Sequence, residues 1–189
     1  MLIRDDEPVI LTFSGRYVQP LNLRHEDVCI EDIAHALSNQ ARFSGHTSEF
    51  YSVGQHSVHT YTVTYTIVGD DRHGLSALLH DATETYLQDC ARPLKEHPDF
   101  QAYREAEQRA EKVIAEVFNI PYPHPPCVKE ADTILLASER RDLMPPNGQW
   151  EVTQSVEPVV WTIRPWTPKR AKETFLFCYH HITRTKKVA

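Results

Sequence analysis

The chain has 189 residues, 41% of them hydrophobic and 24% charged, with only 6 Gly and a formal charge of −6. That length supports one domain with a full core, and the composition is that of a globular, helix-rich protein. The acidic balance argues against non-specific DNA or RNA binding, which needs a basic surface, and no apolar run approaches the length of a membrane span.

The chain opens with Met1 to Pro8, acidic from Asp5 and without an apolar signal core, so a cytoplasmic location is expected. Val9 to Leu23 reads as two short strands around Ser14-Gly15, forming a small β hairpin. Glu31 to Leu37 sets Ile33, Ala34 and Leu37 on one face of a short helix, and Gln40 to Thr47 is a turn-rich link. Ser48 is placed to cap a helix over 48–68 that carries His56 and His59. Its β-branched residues Val63, Thr64, Thr66, Ile67 and Val68 lower its helix propensity, so packing must hold it. Asp70-Asp71 ends that helix and caps the next.

No Gly or Pro interrupts Leu75 to Arg92, which reads as one helix closing at Pro93. Asp99 to Phe118 is amphipathic, with Tyr103, Ala106, Ala110, Val113, Ile114 and Val117 facing inward. Pro121 to Pro126 is a loop, and Val128 to Leu143 is a helix with Asp132 beside its apolar face. Met144 to Pro168 is a long connection with one short extended piece at 159–164. Pro168 starts a last helix that ends near Arg184, before Lys186-Lys187. The sum is a single all-α domain, its core about 30–143, with the N-terminal hairpin and a C-terminal extension over 144–189. The cysteines Cys29, Cys90, Cys127 and Cys178 have no CxxC spacing and read as reduced thiols.

Ala77-Leu78-Leu79 runs into the adjacent pair His80-Asp81, and Glu84 follows four residues after the histidine. On one continuous helix His80 and Glu84 share a face, and Asp81 is turned about 100° away. A His–Asp pair ending a buried apolar turn needs partners, from an ion pair or from a metal. His56, His80 with Asp81, and Asp132 fall on three helices in apolar surroundings. Two imidazoles and two carboxylates suit a divalent ion with positions left open for water and substrate. Taken singly each has an ordinary structural reading: a core histidine for His56, a salt bridge to Lys129 for Asp132.

The order His56, His80-Asp81, Asp132 resembles the H…HD…D signature of the HD-domain metal-dependent phosphohydrolases. Arg42-Phe43 ahead of Gln55-His56-Ser57, then His80-Asp81-Ala82-Thr83-Glu84, Asp89, Pro93-Leu94-Lys95 and Ala131-Asp132 resemble the bacterial 5′-deoxynucleotidase branch in order and spacing. Residues 38–143 are closer still to a prophage and phage group of that branch, through Arg42 to His46 and Ser138 to Leu143. The phage dATP triphosphohydrolases are similar in size and motif. In place of the Arg–Trp pair of the deoxynucleotidases this chain has Arg42-Phe43.

The resemblance implies an HD-domain helical bundle holding one divalent ion, of Co, Mn, Zn, Fe or Ni, on His56, His80, Asp81 and Asp132. It implies Glu84 as the catalytic group handling a proton on the attacking water or leaving oxygen, and Arg42 as the phosphate grip. Lys95 is either a second phosphate contact or a solvated cation, Asp89 is implied as a contact to deoxyribose, and Phe43 either stacks on a base or packs under Arg42. The expected protein is an enzyme that removes the 5′ phosphate of a deoxynucleotide, a small-molecule partner, and that forms a homo-oligomer through the 99–118 helix or the tryptophans Trp150, Trp161 and Trp166. The alternatives are a dATP-type triphosphohydrolase and a catalytically silent nucleotide-binding regulatory module. His59 is a candidate for a second ion that no further carboxylates support. His46 is placed to face phosphate, and His180-His181 lie at the surface.

Overall fold

Three short strands and eight helices follow in chain order in the computed structural model, which describes residues 2–4, 7–146 and 150–185. Strands β1 (Leu2–Arg4), β2 (Glu7–Leu11) and β3 (Tyr17–Val18) form an antiparallel sheet in that order. The helices are α1 (Ile30–Asn39), α2 (Val53–Val68), α3 (Gly74–Leu78), α4 (Glu84–Leu87), α5 (Arg92–Lys95), α6 (Gln101–Phe118), α7 (Pro126–Leu143) and α8 (Pro168–Thr185). The protein is an all-α bundle with a small N-terminal sheet. No described helix is long and apolar enough to cross a membrane.

The bundle is arranged around α2, which touches α1, α3, α7 and α8. Its first half is buried without a break from Val53 to Thr60, and that enclosure overrides the weak propensity of its β-branched residues. Gly54 permits the contact with α1, since a Cβ there would lie 2.6 Å from Ser38 Oγ and 3.0 Å from the Ser38 backbone. The main apolar cluster joins Ile33 and Leu37, Val58, Leu75 and Leu78, Ile114, and Phe175 and Ile182. α8 therefore packs into the same core as the helices before it. A second cluster, including Tyr51, Ala131, Leu135, Leu143 and Ile163, seats α7.

The expected hairpin forms between β2 and β3, turning at Gly15 with φ +85°, and β1 adds a third strand on its other edge. Pro20–Asn22 leaves the sheet as a 3-10 turn, as Pro lacks the N–H a strand would donate. Ser52, not Ser48, caps α2: its side chain accepts from Gln55 N–H at 3.1 Å, while Ser48 N–H donates to the Leu143 carbonyl. α2 ends at Gly69 in the left-handed conformation, so Asp70-Asp71 is not its stop. Asp71 instead accepts from the Tyr61 hydroxyl. α6 begins at Gln101 after a 3-10 turn at Pro98–Phe100, and Val117 is exposed where an inward position was expected. No strand appears at 159–164 among the described residues, and Lys186-Lys187 lies outside them.

The largest departure lies at the center of the site. Residues 75–92 are not one helix: α3 stops at Leu78, and α4 starts at Glu84. Between them the backbone tightens into i→i+3 bonds, Ala82 N–H to Leu79 O and Glu84 N–H to Asp81 O, both 3.0 Å. His80 Nδ1 lies 2.8 Å from the Ala77 carbonyl, taking the acceptor that the next helical N–H would use.

Candidate functional site

Four side chains meet at that break. α2 delivers His56, fully buried at 0% exposure; the turn after α3 delivers His80 and Asp81; α7 delivers Asp132. His56 Nε2 lies 3.2 Å from His80 Nε2, 3.1 Å from Asp132 Oδ1 and 3.5 Å from Asp81 Oδ2. His80 Nε2 is 3.2 Å from Asp81 Oδ2 and 4.0 Å from Asp132 Oδ1. His56, His80 and Asp81 each offer one ligand atom, all within 4.8 Å of one another, and such a group can hold a metal ion. The tight turn is what makes this geometry available, because it lets neighbors in sequence reach one point that a continuous helix would deny them.

The donor set fits a divalent ion. His56 Nδ1 lies 2.6 Å from Glu139 Oε1, and His80 Nδ1 faces the Ala77 carbonyl, so each ring donates through Nδ1 and turns Nε2 toward the cluster. Two imidazole Nε2 atoms then face one point beside two carboxylates, an arrangement that a cation satisfies. Burial and Arg42 work against a charge on His56, yet Glu139 and Asp132 raise its pKa to about 9. Burial also works to raise Asp81, but the charge and hydrogen bond of His80, with His56 and Arg42, hold it well below the usual carboxylate range. Asp132, against the same burial, is drawn down to about 2, chiefly by its bond to His56.

Arg42 comes from the 41–52 loop, which is pinned by Arg42 N–H to Tyr51 O (2.9 Å) and Val53 N–H to Gln40 O (3.0 Å). Its Nη1 donates to Asp81 Oδ2 at 3.4 Å and its Nη2 to Glu139 Oε2 at 3.2 Å, while its buried Nε has no partner. Phe43 lies beneath this guanidinium, 5.1 Å from Cζ to ring center, and tilts against Trp150 at 5.7 Å. Glu84 is buried at the start of α4, and burial, with Asp81 and Asp89 adding, pushes its pKa well above the ordinary value. Asp89 is likewise raised by burial, half-buried beside it. Lys95 Nζ is held by Glu107 Oε1 at 2.6 Å.

A cavity of about 500 Å³ opens next to this cluster, lined by Ala36, Asn39, Gln40, Ala41, Ser44, Gln88 and Asp89. Gln40, with its amide oriented to satisfy both neighbors, donates to the Glu84 carbonyl at 3.1 Å and accepts from Asp89 N–H at 2.6 Å. Strained backbone borders the cavity: Phe43 and Ser44 have φ +53° and +51°, and Gln88 has φ +69° with ψ 157°, a region that favors Gly.

The structure thus brings together His56, His80, Asp81, Asp132, Arg42 and Glu84, with Asp89 on the wall of the cavity and Lys95 tied to α6. His59 is apart from them: its Nδ1 lies 3.4 Å from the Tyr51 hydroxyl, and Trp161 and Trp166 flank it edge-on. His46 is exposed, and His180 and His181 lie on the surface as expected. Arg141 is engaged by Asp142 and by the Val159 and Trp161 carbonyls. Two residues were passed over in the sequence, Gln40 and Glu139. Glu139 follows Asp132 by seven residues, two helical turns on the same face, and that spacing was the available signal.

No family model matches the chain. It is 37% identical over 183 residues to the uncharacterized protein YfdR of Escherichia coli K12, an alignment that takes in 95% of this chain and 98% of that protein. It is 35% identical over 130 residues to an uncharacterized protein of Rhodobacter capsulatus, across 64% of this chain and 65% of that one. With nearly the full length of both sequences aligned to the first of these, the chain belongs to the YfdR family.

Proposed function

We propose that the protein is an HD-type metal-dependent phosphohydrolase that removes the 5′ phosphate from a deoxynucleotide. The observation that carries this reading is the convergence of His56, His80, Asp81 and Asp132 from three separate segments on one point, with Arg42 and Glu84 beside it. A divalent ion held there supplies Lewis-acid polarization of the phosphoryl group.

The remaining work falls to the chain. Arg42 meets phosphate oxygens through the Nη1 edge of its guanidinium, which already faces the cluster at Asp81. Glu84, whose pKa is raised by burial with Asp81 and Asp89 adding, is the group suited to carry a proton beside the ion. It gives that proton to the leaving O5′ as the P–O bond breaks and regains one from the attacking water. The cavity of about 500 Å³ beside Glu84 is of a size for a nucleoside, and Asp89 on its wall is placed for a sugar hydroxyl.

The cations favor a monophosphate. Arg42 is shared with Asp81 and Glu139, Lys95 is bound to Glu107, and Arg141 is occupied elsewhere. A triphosphate would bring more negative charge to a site already rich in carboxylates. The test is a hydrolysis screen of the deoxynucleoside mono- and triphosphates and their ribo counterparts with added Co²⁺, Mn²⁺ or Zn²⁺, read by both orthophosphate and nucleoside product, using Asp81→Ala as the blank. Orthophosphate from monophosphates supports the proposal. Turnover of a triphosphate alone replaces it with the triphosphohydrolase reading, and binding without turnover replaces it with a silent module.

A further inference from the structure

Glu139 lies two turns along α7 from Asp132 and points to the same side of the helix, but it stops behind the cluster. It is fully buried at 0% exposure, where a carboxylate must find partners for its oxygens within the protein. Those partners are divided. Oε1 accepts from His56 Nδ1 at 2.6 Å, and Oε2 accepts from Arg42 Nη2 at 3.2 Å. Arg42 Nη1 then reaches Asp81 Oδ2 at 3.4 Å, and the same oxygen lies 3.5 Å from His56 Nε2. His56, Glu139, Arg42 and Asp81 therefore close a ring of four side chains drawn from α2, α7, the 41–52 loop and the turn after α3.

We propose that Glu139 is the positioning residue of this site, one carboxylate that sets the ion-binding imidazole and the phosphate-binding guanidinium in register with each other. Tying Nδ1 aims His56 Nε2 at Asp81 and Asp132. Tying Nη2 keeps the Arg42 fork from swinging away from the cluster. The inference rests on the proposed function for the jobs given to His56 and Arg42. A carboxylate that merely neutralized Arg42 would affect folding alone and leave the ion's surroundings unchanged.

The variant that tests this is Glu139→Gln, of equal size but without the charge. Cobalt binding is followed by titration and by the visible absorption of bound Co²⁺, and the His56 Nδ1 proton by NMR. The expected result is a loss of Co²⁺ affinity of about 10- to 100-fold, a changed Co²⁺ spectrum, and an upfield move of that proton. Wild-type affinity, spectrum and proton shift in Glu139→Gln would overturn the proposal. If Glu139→Gln does not fold, Glu139→Asp, which keeps the buried charge but withdraws the carboxylate from His56 and Arg42, carries the same readouts. A wild-type protein that binds Co²⁺ and hydrolyzes no nucleotide removes the proposed function while these readouts still decide Glu139. One that binds no Co²⁺ overturns both.

Discussion

The Nε2 atoms of His56 and His80 lie 3.2 Å apart, and both Nδ1 atoms are turned away toward oxygens. That contact sets two ring nitrogens against each other beside the Asp81 and Asp132 carboxylates. A divalent ion should relieve it, and so should stabilize the fold. At 100 times its dissociation constant a ligand adds about 2.7 kcal/mol, which for a chain of this size raises the melting temperature by roughly 5–10 °C. Thermal melts with Mn²⁺, Co²⁺, Ni²⁺ and Zn²⁺, each reversed by chelator, measure it. Identical melting temperatures throughout would remove the metal reading.

Glu84→Gln should separate chemistry from binding. Glu84 is not among the ion's neighbors, so Co²⁺ affinity and thermal stability stay near wild type. Turnover falls by about 10²- to 10⁴-fold, the usual contribution of a general acid or base. Single-turnover phosphate release on the metal-loaded variant gives the answer, and wild-type rates would end Glu84's assigned role.

Arg42→Ala leaves Glu139 buried with its charge only partly compensated by His56. Breaking a buried pair from one side costs about 3–5 kcal/mol, so urea denaturation should show a loss of that order. Arg42→Lys keeps the charge but not the fork, and should fold better while still raising KM for the phosphorylated substrate. Equal stability of wild type and Arg42→Ala would contradict the buried pairing.

His59 predicts a stability that depends on pH. Burial lowers its pKa to about 4, with His56 acting in the same direction and Glu139 against it. Its neighbors are Tyr51, Trp161 and Trp166. An unfolded histidine titrates near 6.5, so below that pH the unfolded state takes up the proton first. The contribution is complete above about 6.5 and is lost as pH falls toward 4. Between pH 7 and pH 5 the loss is about 2 kcal/mol. Urea titrations across that range should show a correspondingly smaller decline in His59→Phe than in wild type.

Much of this architecture was legible in the sequence, for identifiable reasons. The helices that became α2, α6, α7 and α8 have apolar spacing or a terminal proline strong enough to place them within a few residues. The His56, His80, Asp81 and Asp132 set was visible because buried polar groups in apolar runs require partners. What escaped were features set by contacts distant in sequence or by a side chain acting on backbone. Ser52 outcompeted Ser48 as the cap because Ala41 and Ser52 pair across the loop and fix where α2 starts. Glu139 carries no signal of its own in the Ser138 to Leu143 stretch, because only the approach of α2 and the Arg42 loop makes it an interior group.

The broken helix between Leu78 and Glu84 sets helix continuity and the ligand geometry against each other. Leu79 and Ala82 are strong helix formers, and with Thr83 they are buried, so local propensity favors a helix that tertiary packing does not allow here. Restoring the continuous helix would swing Asp81 away from His80 and take the ligand set apart. The turn is therefore a place where local helix preference and the geometry of the ligand set pull in opposite directions.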